Sequence, residues 1–307
     1  MTNGRNEKGS DMGSSSGEIG GLSVVVPVYN EVNAVLPEIR RIQQVLAGLK
    51  CPSELILVDD GSTDGTADLL KQADDESFLL IASESNCGYG ASLKKGIRQA
   101  KYPVVAITDA DGTYPNEEIP AMLEKMRDAD MVVGARTGDK VHIPLVRRPA
   151  KWMLNKLANY LSNADIPDLN SGLRIFRKKV AERYFHILPS RFSFTTTITL
   201  AMFADGYRVC YHSIDYHKRE GSSKIKPSDA IGFFILILRT ITYFSPLRTF
   251  VPLFLLFASL GGVKLAYDIF VLQNITDTTT FILLSALQVI LIGVVADLIV
   301  RRGDSER

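Results

Sequence analysis

Val104-Val105-Ala106-Ile107-Thr108-Asp109-Ala110-Asp111-Gly112-Thr113 is the stretch on which the fold turns. A short apolar, β-branched run bounded by a polar turn reads as a buried strand. The two carboxylates after it stand two residues apart, and in extended chain residues i and i+2 point to the same side. Both can therefore face one small volume just past the strand end, which is where open α/β sheets bind their ligands. Two hard oxygen donors there suit Mg²⁺ or Mn²⁺, held by few protein groups and completed by substrate phosphates. Alone, the pair reads equally well as a turn with two acidic residues.

Working outward, 22–134 alternates β-branched runs with helical patterns. Strands are expected at 22–26, 54–58, 78–82, 104–108 and 131–134, with helices at 32–49, 65–73, 90–100 and 117–127. This order predicts an α/β fold, a mostly parallel sheet flanked by helices. The first strand runs into Pro27-Val28-Tyr29-Asn30-Glu31, where Pro27 is expected to end the ladder and Asn30 to cap the next helix. The second runs into Asp59-Asp60-Gly61-Ser62-Thr63-Asp64-Gly65-Thr66, with Asp64 or Thr63 as the cap. A carboxylate at such a strand end can accept a hydrogen bond from a nucleotide base. Asn86-Cys87-Gly88-Tyr89-Gly90-Ala91 opens a helix whose first amides could meet a phosphate, or serve only as a helix start.

The 307 residues suit one sizeable domain plus an appendage, and a net charge of +1 offers no bulk electrostatic case for nucleic acid. Cys51, Cys87 and Cys210 lack metal-ligand spacing and read as reduced thiols. His142, His186, His212 and His217 show no paired metal spacing either. Residues 1–20 are polar, rich in Gly and Ser, and read as a disordered tail. The stretch 141–168 is basic, with Arg147, Arg148, Lys151, Lys156 and Trp152, and reads as a solvated helix face or as a surface for anionic lipid.

The last quarter is far more apolar. Segments 249–272 and 278–296 each approach the ~20 residues needed to cross a bilayer. Lys264 and Asp268 lie four apart on one helix face and are expected to pair near one end of the first span. The connector Gln273-Asn274-Ile275-Thr276-Asp277 has no Lys or Arg, whereas Arg239, Arg248, Arg301 and Arg302 flank the other ends, so both termini are expected on the cytoplasmic side. The resulting domain division is a tail at 1–20, a catalytic domain at 21–226, an interfacial amphipathic helix at 227–248, a two-helix transmembrane hairpin at 249–302 and a cytoplasmic tail at 303–307.

Val-Pro-Val-Tyr-Asn-Glu, Val-Asp-Asp-Gly-Ser-Thr-Asp-Gly-Thr and Asp-Ala-Asp-Gly, in this order, resemble the family 2 glycosyltransferases of the GT-A fold over 22–224. Asn170-Ser171-Gly172-Leu173-Arg174-Ile175-Phe176 and His217-Lys218-Arg219-Glu220-Gly221-Ser222-Ser223-Lys224 are similar to the polyprenyl-phosphate sugar transferases, the dolichyl-phosphate mannose synthase-like branch. The pair of spans resembles its bacterial members with two C-terminal transmembrane helices. The resemblance implies an inverting hexosyltransferase using a UDP- or GDP-linked sugar and an undecaprenyl or dolichyl phosphate acceptor, with Mg²⁺ or Mn²⁺ as cofactor. It implies Pro27, Tyr29, Glu31, Asp59 and Asp60 around the nucleotide and Asp109 and Asp111 on the metal. It implies Arg136, Arg174, Arg219, Ser223 and Lys224 toward the acceptor phosphate, with Asp109, Asp111 and Arg136 as the catalytic set. The mannose synthases often carry Gln where this chain has Thr113, so a third protein ligand is an open question.

Two other readings stay in view. A processive polysaccharide synthase shares the first motifs but carries a Gln-x-x-Arg-Trp type signature, and the one tryptophan here, Trp152, stands in Pro149-Ala150-Lys151-Trp152. A membrane-tethered binding protein with a degenerate transferase fold would not need Asp59, Asp109 and Asp111. The partners expected are the nucleotide sugar, the lipid phosphate and the bilayer; homo-oligomer formation is left open.

Overall fold

The computed structural model describes residues 19–73, 77–137, 166–191, 193–217 and 245–305, with positions 159, 235, 238–239 and 242–243 between them. Seven strands form one sheet: β1 (Leu22–Val28), β2 (Ser53–Asp59), β3 (Leu79–Ala82), β4 (Val104–Ile107), β5 (Met131–Arg136), β6 (Arg174–Arg177) and β7 (Val209–Ile214), in the order β3-β2-β1-β4-β6-β5-β7. All pairings are parallel except those of β6 with β4 and β5. Strand order reverses between β2 and β4 on either side of β1, which opens a crevice at the carboxyl ends of these strands.

Helices α1 (Val35–Ala47), α2 (Thr66–Gln72), α3 (Tyr89–Gln99) and α4 (Ile119–Lys125) follow β1 to β4 in turn, a 3-10 turn at Asn116–Glu118 preceding α4. The expected strands and helices over 22–134 are all present, their ends shifted by no more than three residues. The alternation of a pleated strand divides their apolar residues between two cores. Val24, Val26, Val28, Leu55 and Leu57 pack with Ile39 and Ile42 of α1, Leu70 of α2 and Met122 of α4 on one face. Val25, Ile56 and Val58 pack with Leu93 and Ile97 of α3 on the other. There they meet α5 (Lys178–Arg183) through Ala181 and α6 (Phe194–Ala204) through Ile198.

Pro27 does not end its strand. β1 continues to Val28, with Pro27 in register opposite Val58. Val28 accepts from Asp60 N–H on the β2 side, and Val25 accepts from Thr108 N–H on the β4 side. Alternation turns residue 27 toward β4, whose pairing with β1 stops at Val25 opposite Ile107. The missing proline N–H thus falls where no ladder bond is required.

The C-terminal hairpin pairs α7 (Pro246–Tyr267), extended by a π-helical turn at Asp268–Leu272, with α8 (Asp277–Ser305). Both are long and apolar enough to cross a membrane, with mean hydropathies of 1.8 and 2.5 over their most apolar windows. Leu255, Val263, Phe270, Phe281, Leu298 and Ile299 stay exposed, a continuous apolar surface that water does not tolerate at this size. Gly261 lets the helices approach, since a Cβ there would lie 2.6 Å from Leu283 Cδ2. The expected Lys264–Asp268 pair forms. Asp268 is fully buried and also accepts from Thr276 N–H at 2.8 Å, Thr276 Oγ1 at 2.7 Å and Thr279 Oγ1 at 2.6 Å. One carboxylate therefore closes the turn and satisfies donors at the start of α8.

The expected tail at 1–20 lies outside the described residues apart from Ile19 and Gly20, as do 141–158 of the basic stretch, with Trp152, and the segment Arg219, Ser223 and Lys224. Most of the interfacial helix expected at 227–248 lies outside them too; Ile235, Leu238, Arg239, Thr242 and Tyr243 within it are helical.

Candidate active site

The polar motifs singled out in the sequence gather at one edge of the sheet, where β1, β2, β4, β5 and β7 end and the antiparallel β6 begins. Immediately beyond β4, Asp109 and Asp111 are both half-buried. Asp109 Oδ1 accepts from the Tyr89 hydroxyl at 2.9 Å, and Asp111 Oδ1 accepts from Thr113 Oγ1 at 2.6 Å and Thr113 N–H at 3.2 Å. Asp109 Oδ2 lies against Gly172, where a Cβ would come within 2.8 Å of it and 3.0 Å of Tyr114 Cε2. Glycine at 172 is thus a condition for the placement of Asp109. The Gly172 N–H donates to the Tyr114 hydroxyl at 2.7 Å, fixing that turn against the β4 exit.

Burial, then the neighbouring Asp109, push the Tyr89 phenol well above its ordinary pKa, so it remains a hydrogen-bond donor. In the sequence, Tyr89 reads only as a helix-start residue. The signal available was an aromatic placed directly after Gly88, whose positive φ of 101° turns the chain into α3. Behind the same exit lies Glu38 of α1, a buried carboxylate bonded to Asn116 Nδ2 and paired with Arg41 at 3.2 Å. Burial raises its pKa against the opposing pull of Arg41.

The β1 and β2 exits are sewn together. Asn30, in the left-handed region at φ 55°, accepts from Thr63 N–H at 2.8 Å and donates its own N–H to Ser62 Oγ at 3.0 Å. It does not cap α1, which starts five residues later. Asp64 accepts from Thr66 N–H at 3.0 Å and from Val32 N–H at 3.3 Å, so it serves the start of α2 and the facing loop together. Tyr29 and Glu31 are half-buried at this edge.

Asp59 and Asp60 are almost completely buried, at 2% and 3% exposure. Asp59 accepts from Ser62 Oγ at 2.5 Å. Asp60 accepts from Cys87 N–H at 2.9 Å and Gly88 N–H at 2.8 Å. Asp60, expected beside the nucleotide, is committed to the protein's own backbone. The Asp60 carboxylate joins the β2 exit to α3. The same bonds take up the Cys87 and Gly88 amides just ahead of α3.

On the other flank, Arg136 ends β5. Its Nε donates to Asp168 Oδ2 at 2.7 Å and its Nη2 to Asp168 Oδ1 at 2.8 Å, while its backbone N–H also reaches Oδ2 at 3.1 Å. Burial works to lower the Arg136 pKa, and the bonds to Asp168 outweigh it and raise it. The Tyr216 ring lies 5.2 Å from the guanidinium carbon. Asp168 carried no sequence signal; it stands in an irregular segment, and the fold brings it to the β5 end.

Among the acceptor candidates, Arg174 is placed elsewhere than expected. It is fully buried, and its guanidinium donates to the Ser171 carbonyl, the Thr195 carbonyl at 2.9 Å and Thr199 Oγ1 at 2.8 Å. Burial lowers its pKa. These partners tie the Ser171–Gly172 turn to α6, so Arg174 supports the site from behind and presents no face to an anion.

Among the described residues no group of three or more His, Cys, Asp and Glu side chains is arranged to hold a metal. Asp109 and Asp111 remain as two carboxylates on one edge, a donor set that fits a hard divalent ion whose other positions are filled by phosphate and water. Thr113, bonded to Asp111, orients that carboxylate in the way outer partners orient ligands.

Residues 23–185 match the family described as Glycosyl transferase family 2, and residues 245–301 match the GtrB C-terminal hairpin. The chain is 29% identical over 302 residues to a dodecaprenyl-phosphate galacturonate synthase of Rhizobium johnstonii, covering 91% of this chain and 88% of that protein. It is 30% identical over 211 residues to a dolichyl-phosphate hexose transferase of Haloferax volcanii, covering 67% and 87%. Among solved structures, glucosyl-3-phosphoglycerate synthase from Mycobacterium tuberculosis in complex with Mn²⁺, UDP and phosphoglyceric acid superposes with a TM-score of 0.56 at 17% identity, over 72% of this chain and 78% of that one. That likeness establishes the GT-A-like fold. The hairpin match and the two apolar helices identify a membrane protein.

Proposed function

Because the chain belongs to glycosyl transferase family 2, we propose that it transfers a hexose from a UDP- or GDP-linked sugar to a polyprenyl phosphate at the cytoplasmic face of a membrane. The observation that carries this reading is a single sheet edge. It bears the Asp109–Asp111 pair and, a few strands away, the Arg136–Asp168 pair, in a chain that ends in a membrane hairpin. Relatives named as polyprenyl-phosphate and dolichyl-phosphate sugar transferases support the choice of acceptor.

On this reading the nucleotide lies along the β1 and β2 exits, against Pro27, Tyr29 and Glu31, with Asp59 holding the Ser62 turn beside it. Asp109 and Asp111 hold Mg²⁺ or Mn²⁺. When bound, the ion supplies positive charge to the leaving diphosphate. The nucleophile is an acceptor phosphate oxygen, ionised at neutral pH, so no strong general base is required for an inverting displacement. The demand falls on cations that hold one anion beside another. Arg136 meets it with a planar fork fixed by Asp168, and Arg219, Ser223 and Lys224 follow Tyr216 closely enough in sequence to join it. Arg248 near the start of α7, Arg301 and Arg302 late in α8, and a connector without Lys or Arg favour the catalytic domain and both termini on the cytoplasmic side.

The test is to incubate membranes containing the protein with a panel of nucleotide sugars, polyprenyl phosphate and Mg²⁺ or Mn²⁺, and to weigh the lipid product. A sugar–phospholipid that vanishes with chelator is the expected result. Donor hydrolysis without a lipid-linked product, over the whole panel, would refute the acceptor assignment.

A further inference from the structure

We propose that Tyr216 is a positioning residue that sets the plane of the Arg136 guanidinium and ties it to the loop bearing Asp109 and Asp111. The inference rests on the reading above, in which Arg136 meets the acceptor phosphate. β7 pairs with β5 in parallel, with Ile214 in register opposite Arg136. Alternation places residue 216 on the same face as Ile214, a core residue, and Tyr216 continues that core into the site as a half-buried ring.

Three contacts converge there. The ring stands 5.2 Å from Arg136 Cζ. It meets Tyr114 edge-on, with centroids 5.3 Å apart at 72°. The next residue, His217, donates its N–H to the Thr113 carbonyl at 3.0 Å. The β7 exit is therefore stitched to the β4 exit at Thr113 and Tyr114 and to the β5 exit at Arg136. Tyr114 carries the chain of contacts further, because its hydroxyl holds the Gly172 turn that packs on Asp109.

The physical need for such a residue follows from the Asp168 pair. Two parallel hydrogen bonds fix the guanidinium within its plane but leave it free to tilt about the line joining the two groups. An aromatic face beneath it removes that tilt by cation–π attraction. Among the described residues no acceptor is bonded to Arg136 Nη1, so the amino group left for an anion is aimed jointly by Asp168 and Tyr216. Because Asp168 already offsets most of the Arg136 charge, phosphate binding depends on that aim more than on net attraction.

The experiment compares Tyr216→Leu, Tyr216→Phe, Arg136→Ala and the double variant Tyr216→Leu/Arg136→Ala in the full-length chain, measuring KM for lipid phosphate and for nucleotide sugar, kcat, and melting temperature. Tyr216→Leu keeps an apolar core residue and loses the π face. It is expected to raise the acceptor KM by about 3- to 10-fold, with donor KM and melting temperature close to the parent. Tyr216→Phe, which keeps the ring, is expected to restore the acceptor KM; failure to do so would overturn the π-face role even if the Leu variant does not fold. In the Arg136→Ala background the Leu substitution is expected to add almost nothing. Full additivity, or an equal rise in donor KM, would overturn the proposal. An Arg136→Ala variant with unchanged acceptor KM would instead remove the acceptor reading on which it stands.

Discussion

The β2 and β4 exits carry the same chemistry in different spacing, and the spacing decides what each does. Asp59 and Asp60 are adjacent, so their side chains leave the strand in opposite directions. One closes on Ser62 and the other on the Cys87–Gly88 turn, and both are buried. Asp109 and Asp111 stand two apart and stay half-buried, and a hydroxyl-bearing neighbour orients each of them, Tyr89 for Asp109 and Thr113 for Asp111. Adjacent carboxylates thus became joints between loops, whereas the alternating pair keeps the partial exposure that the proposed metal site requires.

Asp111→Asn should break the comparison most severely. Turnover is expected to fall by at least ~10²-fold, as loss of a transition-state charge stabiliser does, with the melting temperature unchanged. Near-parent rates at saturating Mg²⁺ or Mn²⁺ would remove the metal assignment. Asp60→Ala should act on stability instead, leaving two inward-facing amides without their acceptor at a cost of about 1–3 kcal/mol. Thermal unfolding in detergent reads this loss, and turnover per folded molecule should hold. A catalytic defect as deep as that of Asp111→Asn, with stability intact, would erase the distinction between the exits.

Smaller changes sharpen it. Tyr89→Phe removes the hydroxyl that orients Asp109 while keeping the ring, and Mn²⁺ binding in the presence of nucleotide should weaken by about tenfold, read by the spin-resonance signal of the free ion. An unchanged Mn²⁺ affinity would show that Asp109 needs no such partner. Thr113→Val should weaken it less, by about threefold, because the residue-113 backbone N–H still reaches Asp111 Oδ1. A Thr113→Val defect larger than that of Tyr89→Phe would make the hydroxyl more than an orienting group.

Much of the architecture was legible because it rests on local periodicity. β1 to β5 and α1 to α4 follow from β-branched runs separated by amphipathic ones, and the hairpin from two long apolar segments whose Lys264–Asp268 pair obeys helical spacing. β6, β7, α5 and α6 carry no comparable signal. β6 has only four residues and begins and ends with arginine, so its period-2 pattern is masked by Arg174, whose burial depends on carbonyls supplied from α6 and the Ser171 turn. Asn30 departs from its expected capping role for a related reason. Its side chain found a partner in another loop before its own helix began.

The sequence by itself determined the parallel α/β order, the carboxylate pair at a strand end and the apolar hairpin, since each depends on contacts or alternations within a few residues. Only the tertiary structure decided which charged groups face the site. Asp60 and Arg174 found partners inside the protein, Arg136 acquired Asp168 from a segment 32 residues away, and Tyr89, Tyr216 and Gly172 became supports for groups on other strands. A buried charge is stable only when its partners are in place. Those partners come from distant strand exits that meet once the sheet has closed its order, so no local pattern records them.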